Sequence, residues 1–262
     1  MSQLRVDTKV GSDPVADTAV YALRLGDDAL VYAQRLGEWI AAAPQLEEDV
    51  ALGNIALDLL GQARALLSHA GQLGSGEDED GLAYFRGERE FLNAQIFELG
   101  RGDFAFTMAR MLVVASYQFE LYSRLQSSTD EILAGVAGKA VKEVDYHRDH
   151  AAHWVARLGD GTEESHRRMQ AGLDELWPYV PELFESDDIV GRLSVAGVAV
   201  DPPTLLEPVT TYVDSVLVAA TLTRPETEVQ HTGGRRGVHT EQMGYLLAEM
   251  QYLARAHPGA KW

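Results

Sequence analysis

Apolar residues along this chain recur at three- and four-residue spacing, and no segment alternates with the period of two that a half-buried strand requires. The first periodic stretch covers residues 17–42, with Ala22, Leu25, Ala29, Tyr32, Leu36 and Trp39 on one face. Pro44 punctuates it. "LEEDVALGNIALDLLGQARALLSHAG" follows, with acids in its first turn and Gly71 as the expected C-cap. The acidic, glycine-rich "GQLGSGEDEDG" reads as a solvated loop, and a helix is expected over about 80–98, broken at "LGRGD". Residues 103–126 and 130–158 form a second long pair joined by "SSTD", and "GDGTEES" caps a helix over roughly 162–177. Residues 181–204, with Pro181, Pro202 and Pro203, read as irregular; two last helices cover 205–222 and 239–256, separated by "HTGGRRG".

Four long helices in two hairpins predict an all-α fold, a four-helix bundle with additional C-terminal helices. Residues 1–15 read as a flexible leader and 16–262 as one helical domain, with no internal repeat and no dividing boundary.

Charge narrows the partners. Forty acidic against twenty-two basic residues give a net charge of −18, which repels nucleic acid and anionic membranes. A basic protein partner is permitted, although solubility alone also explains the excess. The absence of cysteine excludes disulfides, thiolate chemistry and iron–sulfur clusters. The N-terminus lacks an apolar h-region and no stretch runs 18 apolar residues without charge, so neither a membrane span nor export is expected and the cytoplasm is the default compartment.

The candidate chemistry lies in "KEVDYHRDH", residues 142–150. A di-iron carboxylate bundle takes a Glu from each of two helices and a Glu-x-x-His from each of the others. Here Glu143 and His147 stand four apart, and Tyr146 occupies the position where the pattern wants His. In the second hairpin Glu143 and His147 lie level with residues 108–112, which offer Arg110 and no carboxylate; Glu120 lies on the order of 12 Å away along the axis. In the first hairpin Asp28 is expected to face Asp58 if the helices are slightly staggered, but Gly61 and Gln62 follow where an imidazole is needed. Two intact Glu-x-x-His strings, Glu163–His166 and Glu228–His231, are no more than chance supplies in so acidic a chain, and they fall at a helix start and beside a loop. Without iron, buried carboxylates need side-chain cations, for which Lys139, Lys142 and Arg110 are available. The pattern favours a degenerate polar core made of Asp28, Asp58, Arg110, Lys139, Glu143 and His147 over a working metal site. No phosphate loop or nucleophile elbow occurs.

Several segments carry a resemblance: "YALRLGDDALVYAQRLGEWI" (21–40), "LEEDVALGNIALDLLGQARALL" (46–67), "DEDGLAYFRGEREFLN" (78–93), "GDFAFTMAR" (102–110), "KEVDYHRDHAAHWVARLGDGTEESHRRMQAGLDELWPY" (142–179) and "GRRGVHTEQMGYLLAEMQYLARAHPG" (234–259). Together they resemble the C-subunit family of bacterial phenylacetyl-CoA epoxidases (ring-1,2-phenylacetyl-CoA monooxygenases). "GEWIAAAP" (37–44) departs from that family's small-residue run and bears on no chemistry. The resemblance implies a ferritin-like fold and a chain that is not itself the oxygenase. A related A subunit holds the di-iron centre and the CoA substrate, the C subunit pairs with A and supports it, and a B subunit and a reductase complete the system. This chain is then expected to hold no cofactor; self-association stays open. Two rival readings remain at this point: a self-sufficient di-iron oxidase using Asp28, Asp58, Glu143 and His147, and a stand-alone helical binding protein. Tyr84, Phe85, Phe91 and Phe97 offer either exposed aromatics for a partner or packing under a loop, and "GRRG" either a contact or a hinge.

Overall fold

The computed structural model describes residues 13–260. Most of the expected leader, residues 1–12, lies outside the described residues. The first helix begins inside the leader boundary, at Pro14, because Asp13 caps it by accepting from the Val15 N–H at 3.0 Å and proline suits the first helical position.

The described residues contain ten α-helices and no strand: α1 (Pro14–Gly37), α2 (Leu46–Leu73), α3 (Glu79–Tyr84), α4 (Gln95–Glu98), α5 (Phe104–Leu125), α6 (Glu131–Gly159), α7 (Glu163–Leu176), α8 (Asp188–Val195), α9 (Leu206–Ala219) and α10 (Glu241–Ala256). Helices α1 and α2 pack as one hairpin, α5 and α6 as another, and α2 lies on α6 to join them. The crossover between the hairpins holds α3 and α4. Helices α7 and α9 cover α5 and α6, α8 rests on α1, and α10 closes over α1, α3 and α4. This is a ferritin-like bundle with added C-terminal helices.

One contiguous core runs through the bundle. Aromatic side chains bridge its ends: Trp39, Phe104 and Trp154 stack edge to face at 5.7 and 4.9 Å between centroids, and Tyr32 meets Phe97 at 5.9 Å. The Trp39 Nε1–H donates to Thr107 Oγ1 at 3.0 Å, so the buried indole is satisfied.

Four local expectations are corrected. The helix foreseen over 17–42 stops at Gly37, where a tight turn follows with Ala41 at φ 62°. Gly71 is not a cap: α2 runs on to Leu73, and a Cβ at Gly71 would meet the Glu77 carbonyl oxygen at 1.9 Å, so glycine there admits the returning loop. The continuous helix over 80–98 is absent, replaced by α3, a 3-10 turn at Glu88–Glu90, an extended stretch and α4. Of its four aromatics, Phe91 and Phe97 are fully buried in the core, Tyr84 is half-buried and Phe85 alone is exposed. Residues 181–204 are less irregular than expected, since Asp187 accepts from the Val190 N–H at 3.0 Å and starts α8.

Candidate functional site

Helices α2 and α6 run antiparallel and meet along a polar seam. His147, 2% exposed, places Nε2 3.1 Å from Asp58 Oδ2. One turn earlier on α6, Glu143 accepts from Gln62 Nε2 at 3.1 Å and pairs with Lys139 Nζ at 3.1 Å. Further along, His150 Nε2 lies 3.0 Å from Glu48 Oε2. Burial holds the His147 imidazole below its ordinary range, against the opposing pull of Asp58, and it does the same to His150 against Glu48. Both rings therefore sit neutral in the folded protein at neutral pH.

Asp28 belongs to a different place. It does not face Asp58 but turns to the crossover and the C-terminal loop, where Arg235 Nη1 and Nη2 donate to its two oxygens at 2.9 and 2.8 Å and the Ala94 N–H donates at 2.9 Å. Burial raises its pKa to about 6, with Arg235 opposing, so the carboxylate is ionised at neutral pH. Its neighbour Asp27 is equally buried: Arg86 forks onto it, with Nη1 at 3.0 Å from Oδ2, and the Leu92 N–H donates at 2.8 Å. Two further buried carboxylates continue this arrangement. Glu98 accepts from Asn93 Nδ2 at 2.8 Å and the Thr240 N–H at 2.6 Å, and lies 2.6 Å from His239 Nδ1. Glu182 accepts from the N–H groups of Gln95, Gly233 and Gly234 at 2.7, 2.8 and 2.7 Å. Gly234 is required at this closure, because a Cβ there would meet the Asn93 carbonyl oxygen at 2.2 Å.

Sequence reasoning missed Asp27, Arg86, Glu98, Glu182, Arg235 and His239 as a set. The available signals were the adjacent acids at 27 and 28 inside an otherwise apolar helix and the "GRRG" string, whose first arginine is now placed as a buried contact.

Arg110 stands alone. It is fully buried on α5, donates through Nη1 to the Leu99 carbonyl, and lies 5.2 Å from the Tyr32 ring centroid and 5.5 Å from that of Phe106. Burial lowers its pKa, and it pairs with none of the predicted acids.

The six predicted residues thus divide three ways: Asp58, Lys139, Glu143 and His147 together, Asp28 with Arg235, and Arg110 apart. These residues do not fit a di-iron centre. Asp28, which such a centre would need, has both oxygens taken by a guanidinium, and Glu143 is taken by an ammonium and an amide. Among the described residues no three His, Asp or Glu side chains converge as a metal-binding group. The Glu163–His166 string serves a helix boundary, with His166 Nδ1 2.7 Å from the Gly159 carbonyl oxygen, and His231 stacks on Tyr179 at 4.5 Å. Beside Arg235 and Glu182 lies a cavity of about 40 Å³, walled by Tyr21, Arg24 and Tyr117. That is room for about one water, against roughly 300 Å³ for a small-molecule site.

The chain is 47% identical over 242 residues to the C subunit of 1,2-phenylacetyl-CoA epoxidase of Escherichia coli (strain K12), covering 92% of this chain and 98% of that protein. The family described as phenylacetic acid catabolic protein matches the chain from residue 1 to residue 262, and the chain belongs to that family.

Proposed function

We propose that this chain is the structural, non-catalytic subunit of a phenylacetyl-CoA 1,2-epoxidase, which pairs with the di-iron oxygenase A subunit and stabilises it in aerobic phenylacetate degradation. The iron and the CoA thioester reside in that partner, a B subunit and a reductase complete the system, and the assembly works in the cytoplasm. One observation carries the non-catalytic part: the carboxylates that a ferritin-like bundle would offer to iron are held instead by cations of this same chain, Asp28 by Arg235 and Glu143 by Lys139. The buried Arg235 guanidinium neutralises Asp28 within the fold and the Lys139 ammonium faces Glu143 from the surface, whereas iron would have to be loaded and can be lost. A bundle whose acids are engaged in this way suits a helical wall that orders a neighbouring bundle.

The test is expression of the partner oxygenase with and without this chain. The partner alone should be insoluble or inactive, and co-expression should restore soluble, active complex. A partner fully active alone would overturn the scaffold role.

A further inference from the structure

Helix α2 has apolar side chains on its outer face as well as on the face it turns to the core, with a narrow polar strip toward α6 between them. Residues 50–63 contain one charged side chain, Asp58, and an 18-residue window of the helix has a mean hydropathy of 1.3 with less than half of it buried (44%). A helix on a protein surface normally turns a polar face to water, and one that is apolar all round is normally covered. The inner face of α2 is accounted for by Leu52, Ile55, Leu59 and Leu66 in the core. Its outer face carries Leu46, Val50 and Leu57, exposed at 74%, 58% and 65%, followed by Leu60. These positions follow helical spacing over about 20 Å.

Glycines mark the same face. A buried helix glycine has a visible reason, since a Cβ at Gly26 would meet Leu67 Cδ2 at 2.8 Å, whereas Gly37 and Gly191 on other helices are open. At Gly53 a Cβ would meet nothing within 4 Å, and at Gly61 only the Lys139 ammonium at 3.8 Å. On α6, Gly135 and Gly138 likewise have nothing within 4 Å. Each mid-helix glycine costs about 1 kcal/mol relative to alanine, and these four open positions leave room for close approach by another helix.

Charge selects the kind of helix. Of the chain's four lysines the described residues contain two, Lys139 and Lys142, and both are exposed on α6 beside this stripe, with Arg64 on α2 also exposed. Lys139 faces Glu143 at 3.1 Å and Arg64 lies 3.4 Å from Glu79, but both cations reach solvent, and with Lys142 they make a cationic edge, in a chain of net charge −18, that can meet a partner's carboxylates. A second copy would add its own large negative charge, and an anionic lipid surface is repelled by the whole molecule.

We propose that the outer face of α2 and α6, centred on Gly53, Leu57, Gly61 and Tyr146, is the docking surface for the partner oxygenase. The proposal rests on the pairing proposed for this chain. The partner contributes a helix with an apolar seam that packs against the glycines and with carboxylates opposite Arg64, Lys139 and Lys142.

The experiment is co-purification of the full chain with the co-expressed oxygenase, using Gly53→Ala, Leu57→Glu and Lys139→Glu/Lys142→Glu, with Tyr252→Glu on α10 as control. Tyr252 is 72% exposed and belongs to a different face. Leu57→Glu should reduce co-purification at least tenfold, the charge reversal should weaken it and flatten or invert its loss with added salt, and Tyr252→Glu should leave it unchanged. Gly53→Ala should raise the melting temperature of the isolated chain while weakening the complex, a combination that a merely structural role would not give. Normal pairing by all three α2/α6 variants would overturn the surface and leave the pairing intact. Failure of the unmodified chain to pair would remove both. A homodimer of the isolated chain that Leu57→Glu dissociates would assign the face to a second copy instead.

Discussion

Arg235 reaches across 207 residues of sequence to hold Asp28 by two hydrogen bonds, and the pair is nearly withdrawn from solvent, with side-chain exposures of 15% and 4%. Removing one member of such a pair leaves the other charge buried without compensation, which costs roughly 3–5 kcal/mol. Arg235→Met is therefore expected to destabilise by that amount, measured by denaturant unfolding of the isolated chain. The double variant Asp28→Asn/Arg235→Met should recover much of the loss, because both charges go together. A single-variant cost below about 1 kcal/mol would show that the pair is not an anchor. This pairing was not legible in the sequence, since nothing local connects residue 28 with a glycine-rich string near the C-terminus. The helical spacing of Glu143 and His147 was legible, and the structure adds that their partners come from α2 rather than α5.

At the scale of elements, the long helices were readable because a strong 3.6-residue period persists over many turns, and α7 because Thr162 and Ser165 form a cap visible as "GTEES". The segment 85–98 was not readable. Its residues have helical composition, but Asp27, Asp28 and Glu182 accept the N–H groups of Leu92, Ala94 and Gln95 and so hold the chain extended there. Tertiary bonds to buried acids override local propensity in this stretch. The seam between α2 and α6 carries a pH dependence whose sign follows from burial. His147 and His150 are both held below the ordinary imidazole value of 6.5, so below that pH the unfolded chain binds protons that the folded one refuses. Their contribution to stability is present above 6.5 and is lost as pH falls. Asp28, raised to about 6, contributes with the opposite sign between 3.8 and that value, so total stability is a sum of opposed slopes. The difference between the unmodified chain and His147→Gln isolates one slope. The variant should lose ground at about pH 7.5 and gain on the unmodified chain as pH drops from about 6.5 toward 5, read as melting temperature against pH. A gap independent of pH would contradict a buried neutral His147.

For the whole molecule, buried acids matter more as posts for backbone and arginine than as ligands. Asp27, Asp28, Glu98 and Glu182 together fasten the crossover and the C-terminal loop to the bundle. Among the described residues the outer side of α2 is one of the exposed apolar surfaces, and it is where the proposed pairing is tested. The central claim, a bundle whose carboxylates are neutralised by its own cations, is tested most directly by iron and manganese content per chain, on protein purified alone after expression in iron-replete medium. The account predicts metal near zero. Metal approaching two per chain, lost in Glu143→Ala and His147→Ala, would contradict it and make this chain an oxygenase in its own right.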